Sequence, residues 1–205
     1  MTVDDLYYTI KRPARVEIKR KGSRFIAEVV TAVSVEEAMS LLASIRKREH
    51  AATHHCYAYR VGRGDGMLFK YSDDGEPSGS AGRPIFDLIC GRELTDLLLV
   101  VTRYFGGTKL GVGGLVRAYG DAAAAALERA GCRENYVTTN LKVVIPFALY
   151  NSLTKIVNQY QAVQRRADFS DRVTLELVVR SSSVELLTNE IVQLSSGKAV
   201  VETLA

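Results

Sequence analysis

Apolar positions fall two apart at Val16 and Ile18, break at Lys21-Gly22-Ser23, and then condense into FIAEVVTAV over Phe25–Val33. Period-two spacing on both sides of a glycine predicts a hairpin, with Gly22 in the turn. The period then changes. Ser34 and Glu37 are spaced as a capping box, and Ala38, Leu41, Leu42 and Ile45 recur at helical spacing as far as Arg48, which predicts a helix. HCYAYRV (His55–Val61) and MLFKY (Met67–Tyr71) flank the Gly62–Gly66 loop and predict paired strands. LLLVVTRY (Leu97–Tyr104) is apolar enough for a buried central strand, and the alanine-rich run from Gly114 to Ala130, closed by Gly131, predicts a helix with a glycine at its end.

From about Asn140 the pattern restarts: strand LKVVIPF, a helix from about Leu149 to Tyr160, strands AVQRRADF and RVTLELVV around a Ser170-Asp171 turn, a helix from about Ser183 to Leu194, and strand AVVETL. That order, βαββαβ, is the ferredoxin-like unit, with two helices on one face of a four-stranded antiparallel sheet. The fold class expected is α+β in two domains, residues 1–137 with a β/α arrangement and residues 138–205 ferredoxin-like. The second half offers no His or Cys and no clustered polar chemistry, so candidate sites fall in the first.

Composition narrows the class. Apolar residues make up 47% and charged residues 24%, the balance of a folded globular protein. Three cysteines, Cys56, Cys90 and Cys132, are odd in number and match no zinc spacing, which points to a reducing compartment. The start, MTVDDLYYTIKR, lacks the basic and apolar regions of a signal peptide, and no run reaches the ~18 apolar residues of a membrane span. The protein therefore reads as cytoplasmic, with no membrane partner. Net charge is +4, and KRPARVEIKRKGSR (Lys11–Arg24) holds seven basic residues against one acid, Glu17. This is either a solvated hairpin face or a surface for nucleic acid.

Three segments carry candidate chemistry. In YFGGTKLGVGGLVRAY (Tyr104–Tyr119), Gly106, Gly107, Gly111, Gly113 and Gly114 lie between a strand and a helix. Bare backbone and a helix N-terminus together suit a phosphate, and Arg103, Lys109 and Arg117 are placed to reach the same ligand. Neither the P-loop nor the GxGxxG pattern is met, so ATP and NAD are not indicated and no cofactor is expected. In SDDGEPSGSAGRP (Ser72–Pro84), Asp73, Asp74 and Glu76 are candidate Mg²⁺ ligands. The same loop offers Ser78, Gly79, Ser80 and Gly82 as donors to an anion, with Arg83 adding charge. In HHCY, His54 and His55 point to opposite faces of a strand, which argues against a shared zinc. His55 is a candidate contact for a phosphate or for the acidic loop, Cys56 reads as an inert core thiol, and Tyr57 and Tyr59 offer stacking surfaces if their face is exposed.

Together, ATHHCYAYRVG (Ala52–Gly62), SDDGEPSGSAGRPI (Ser72–Ile85) and VVTRYFGGTKLGVGGLVRAYGDAA (Val100–Ala123) resemble the signature blocks of the IMPACT family, in its bacterial YigZ-like branch. Ser80 stands where a Thr is usual. The resemblance implies a first domain with the fold shared by a small-subunit ribosomal protein and domain IV of elongation factor G, and a second like that factor's ferredoxin-like modules. It implies a role in translation, which eukaryotic members exert by blocking activation of an initiation-factor kinase. The expected function is RNA or ribosome binding linked to regulation of translation, without catalysis. Two readings stay beside it: a Mg²⁺-dependent enzyme acting on a phosphorylated small molecule, and a regulatory module whose partner is a protein.

Overall fold

The structure is a computed structural model that describes residues 5–204. Tyr7–Asn135 form one compact unit, and Asp5 and Leu6 group with the chain from Tyr136 onward in a second.

Along the first part run β1 (Leu6–Ile10), β2 (Ala14–Arg20), β3 (Ser23–Thr31), α1 (Val35–Arg48), β4 (His54–Val61), β5 (Leu68–Ser72), α2 (Gly82–Gly91), β6 (Leu97–Tyr104), α3 (Val112–Ala130) and β7 (Cys132–Tyr136). Five strands form one antiparallel sheet in the order β2-β3-β6-β4-β5, while β1 pairs with β7 in a separate ribbon. Lys21 and Gly22 both take positive φ, 45° and 79°, which is the twist a two-residue hairpin between β2 and β3 requires. At the next boundary Ser34 Oγ accepts from the Glu37 N–H, and the Glu37 carboxylate reaches back to the Val33 N–H, so α1 starts where its capping residues place it.

Strand β6 is buried at every position but the last, and apolar from Leu97 to Val101, because both of its faces are covered. On one side α2 and α3 pack Ile85, Ile89, Leu115, Tyr119 and a row of alanines against Phe25, Cys56, Ala58, Leu99 and Val101. The alanines, Ala118, Ala122, Ala126 and Ala130 among them, are fully buried and bring the α3 backbone close to the sheet. On the other side α1 lays Ala38, Leu42 and Ile45 over Tyr57, Tyr59, Leu98 and Val100.

The second unit contains β8 (Thr138–Ile145), α4 (Tyr150–Gln159), β9 (Val163–Phe169), β10 (Val173–Arg180), α5 (Val184–Leu194) and β11 (Val200–Leu204). Its antiparallel sheet runs β11-β8-β10-β9, the strand order of a ferredoxin-like βαββαβ unit. Leu153, Val157, Leu187 and Ile191 of the helices cover Leu141, Val143, Ile145, Leu175 and Leu177. Buried and part-exposed residues alternate along β10, as expected when one face of a sheet lies under helices and the other faces water. The architecture is thus α+β. Among the described residues no helix is long and apolar enough to cross a membrane.

Candidate functional site

The loop joining β6 to α3 spans residues 105–111, and its glycines are not equivalent. Gly106 is pressed against the β2–β3 turn: a Cβ there would lie 1.9 Å from the Gly22 carbonyl carbon, and the Gly106 N–H donates to Ser23 Oγ at 3.1 Å. Its missing side chain serves packing. Gly111 has φ +74° and is the N-cap of α3, so the helix begins at Val112, two residues ahead of the Gly114 start expected from the alanine run. Among the described residues no side chain caps this end, which leaves the leading N–H groups without acceptors there and with their partial positive charge outward. Gly107 and Gly113 are exposed with open space where a Cβ would be, whereas Gly114 abuts Leu110.

That helix start opens on a cleft of ≈ 430 Å³ lined by His54, Glu76, Pro77, Arg103, Phe105, Lys109, Leu110, Gly111, Val112 and Leu115. Most of its wall is apolar; Phe105 and Val112 are 49% and 56% exposed at its mouth. At its base Arg103 and Glu76 are both buried, with side chains 6% and 4% exposed, and the guanidinium donates to Glu76 Oε1 at 2.6 Å. Tyr119 donates its hydroxyl to the same oxygen at 2.8 Å, and a second Arg103 nitrogen reaches Ser23 Oγ at 3.4 Å. Arg103 lies between the rings of Phe25 and Phe105, and its Nε has no hydrogen-bond partner among the described residues. Glu76 offsets the charge of Arg103, so Lys109, exposed and without an ion pair among the described residues, and the α3 terminus supply the cleft's positive potential.

Arg117 faces elsewhere. With Arg20, Lys21, Gly114 and Asp121 it lines a second cleft of ≈ 200 Å³, and Leu110 lines both. The three cations expected around one ligand are therefore divided between two neighbouring clefts. Arg20 is paired there with Asp121 at 3.0 Å, while Lys21 and Arg117 have no ion pair among the described residues. Elsewhere in the basic segment, Arg24 pairs with Glu17 and Arg15 with Glu28 and Glu49, so part of its charge is neutralised within the chain.

The acidic loop is committed to the chain's own donors. Asp73 Oδ1 accepts from the N–H groups of Ala81 and Gly82 at 2.9 and 2.8 Å, and Oδ2 from that of Gly79 at 2.9 Å. Of the donors read from the sequence as an anion cradle, Gly79 and Gly82 are thus filled by a carboxylate from the same loop, which caps α2, while the Ser80 N–H turns to the Pro77 carbonyl. Asp74 accepts from Arg46 and from the His55 N–H. Glu76 is held by Arg103 and Tyr119. The candidate Mg²⁺ ligands turn to three separate donor sets, and among the described residues no group of three His, Cys, Asp or Glu side chains is arranged to hold a metal. Arg83 is exposed on the first turn of α2, donates to Asp87 at 2.7 Å, and lines neither cleft.

Of the two contacts read for His55, the structure shows the acidic loop: its N–H donates to Asp74 Oδ2 at 2.7 Å, and it does not line the cleft. It is buried on the α1 side of β4, with Nε2 3.2 Å from the Glu49 carbonyl, and burial lowers its pKa below the usual histidine value. Its neighbour His54 lines the cleft instead. The His54 Nδ1 is 2.8 Å from the Asp74 carbonyl, an acceptor only, so Nδ1 carries the proton and Nε2 turns toward Glu76 at 3.9 Å. Tyr57 and Tyr59 share the His55 face and lie under α1, buried, so they offer no stacking surface. Cys56 is buried, and burial pushes its thiol up to about 12. The sequence does not mark Ser23, Phe105 or Tyr119 as site residues, and it brings in His54 only as a zinc ligand argued against. His54 was within reach, since strand alternation puts it on the face of Cys56 and Ala58, where small side chains signal close packing by α3.

Comparison with known proteins places this arrangement. The Impact N-terminal domain matches residues 21–127, and a domain of unknown function (DUF1949) matches residues 143–198. The chain is 35% identical to the IMPACT family member YvyE of Bacillus subtilis over 96% of its own length and 90% of that protein's. It is 30% identical to the IMPACT family member YigZ of Escherichia coli over 90% of its own length and 91% of that protein's. A crystal structure described as that of a hypothetical protein superposes with a TM-score of 0.71 at 27% identity, covering 99% of both chains. Two domain matches in this order, with full-length relatives at this identity, show that the chain belongs to the IMPACT family.

Proposed function

We propose that this protein binds RNA, free or within the ribosome, in the regulation of translation, and holds its phosphates where α3 begins. The observation that carries this reading is the uncapped start of α3 beside the unpaired Lys109, with Lys21 and Arg117 in the adjoining cleft. Outward amides and unpaired cations on neighbouring concave surfaces suit a repeating anion such as a nucleic-acid backbone. Phe105, exposed on the same rim, adds a ring on which an unpaired base can stack. Every carboxylate near the cleft is already engaged by the chain, so this reading asks nothing of a metal.

The test is filter binding or fluorescence anisotropy on structured and single-stranded RNA across a salt series. Affinity is expected to fall steeply with salt, and Lys109→Ala with Arg117→Ala to weaken binding across sequences and flatten the log–log salt slope by about 2. An affinity indifferent to salt, or unchanged in the double variant, overturns the proposal.

A further inference from the structure

The uncovered face of the second unit's sheet carries a row of charges in strict alternation. Register pairs Glu202 with Lys142, Lys142 with Glu176, and Glu176 with Arg166, so one line across β11, β8, β10 and β9 reads acid, base, acid, base. Within the row only Arg166 and Glu176 come near enough to pair, at 3.9 Å, and their side chains remain 73% and 42% exposed. Lys142 lies between two glutamates and forms no ion pair among the described residues.

Such a row has a symmetry consequence. Turned about a two-fold axis parallel to the strands, between β8 and β10, it meets its own reverse, and every position then faces the opposite sign. Glu202 meets Arg166 and Lys142 meets Glu176, each twice by symmetry. A two-fold along the row would instead set each residue against itself, with like charges opposed. The next row agrees with the first operator: Val163 and Leu204 lie at its two ends, paired in register with Val178 and Asn140, and they face each other across the axis. On the other side the match stops, because Asp168 would face Val200. From this charge complementarity we infer that the face is a docking surface for a second copy of this chain, forming an isologous sheet-to-sheet dimer. Ion pairs at a partly wetted interface are individually weak, so the dimer is reversible and salt-sensitive.

Sedimentation velocity of the full chain across concentration and salt tests this. A monomer–dimer equilibrium is expected whose dissociation constant rises at least about tenfold between about 50 and 500 mM salt. Lys142→Glu and Glu176→Lys are each expected to be monomeric and still cooperatively folded, with thermal melts lowered only slightly by the like charges each sets side by side within the row. An equimolar mixture of the two restores the dimer, because every facing position in the mixed pair is again of opposite sign. A wild-type chain monomeric at low salt, a dimer that survives both substitutions, or variants that do not recombine would each overturn the inference.

Discussion

Arg103 donates to Glu76 at 2.6 Å across a strand-to-loop contact that leaves both side chains almost without water. Removing two charges from water is expensive, and the attraction between them is recovered only while both remain. Glu76→Ala therefore strands a buried guanidinium and is expected to cost about 3–5 kcal/mol. Arg103→Met with Glu76→Leu should cost clearly less than the sum of the two single changes. Urea unfolding of the four proteins gives the coupling directly, and additivity within about 0.5 kcal/mol would show that the pair is not energetically linked.

Asp73 gathers three backbone N–H groups at the head of α2. Asp73→Ala is expected to lose about 1–3 kcal/mol, because those donors then lie unmet in a part-buried turn. Sulfate added to the variant should raise its melting temperature more than it raises that of the native chain, since the emptied donors can take a free anion. Equal shifts would mean that the loop had collapsed.

Glycine substitutions separate packing from ligand contact. Gly106→Ala places a methyl group inside the Gly22 backbone and is expected to cost upwards of about 2 kcal/mol or to prevent folding. Gly113→Ala meets nothing and sits in the first turn of α3, so it should leave stability unchanged or raise it by up to about 1 kcal/mol. If RNA phosphate rests on those amides, the same substitution lowers RNA affinity in a protein that melts no earlier. Thermal melts and anisotropy measured side by side decide it.

His55 sets an acid limit. Burial holds its folded pKa below the ordinary 6.5, so the unfolded chain binds the extra proton and stability is lost as pH falls. The loss opens near pH 6.5 and continues down to the lowered folded value. Glu49 acts in a lower window: against the upward pull of its burial, hydrogen bonds from Tyr104 and Arg48 and the charge of Arg15 hold it below 4.5. His55→Asn should flatten the stability profile in the window that opens near pH 6.5 and leave the fall below 4.5 intact. A variant whose profile overlays the native one removes His55 from this role.

Most elements could be read from local sequence, and the reason differs with each. The β2–β3 turn was legible because Gly22 favours the backbone the hairpin needs, and α1 because Ser34 and Glu37 announce its start. The alanine run puts the start of α3 two residues late, because the helix is opened by the positive φ of Gly111, which composition does not reveal. The β1–β7 ribbon was not foreseen, since its strands lie far apart in sequence and neither carries a strong period. At the site, sequence reveals donors but not what fills them. The run Ser78, Gly79, Ser80 and Gly82 suggests an anion, and nothing local says that Asp73 is the anion that the Gly79 and Gly82 amides take. Alternation told that His54 and His55 part ways, but only the packing of α1 and α3 decides which face is the cleft.

The ribbon of β1 and β7 also bears on how the chain is made. Translation delivers Leu6–Ile10 early, yet the strand that completes their hydrogen bonds, Cys132–Tyr136, emerges only after the whole five-stranded sheet has been synthesised. That closure is a late, long-range step, so the nascent chain carries an unmatched strand edge for much of its elongation. A truncation ending at Ala130 would keep the edge open permanently, and so should be far more prone to aggregate than one ending a few residues later.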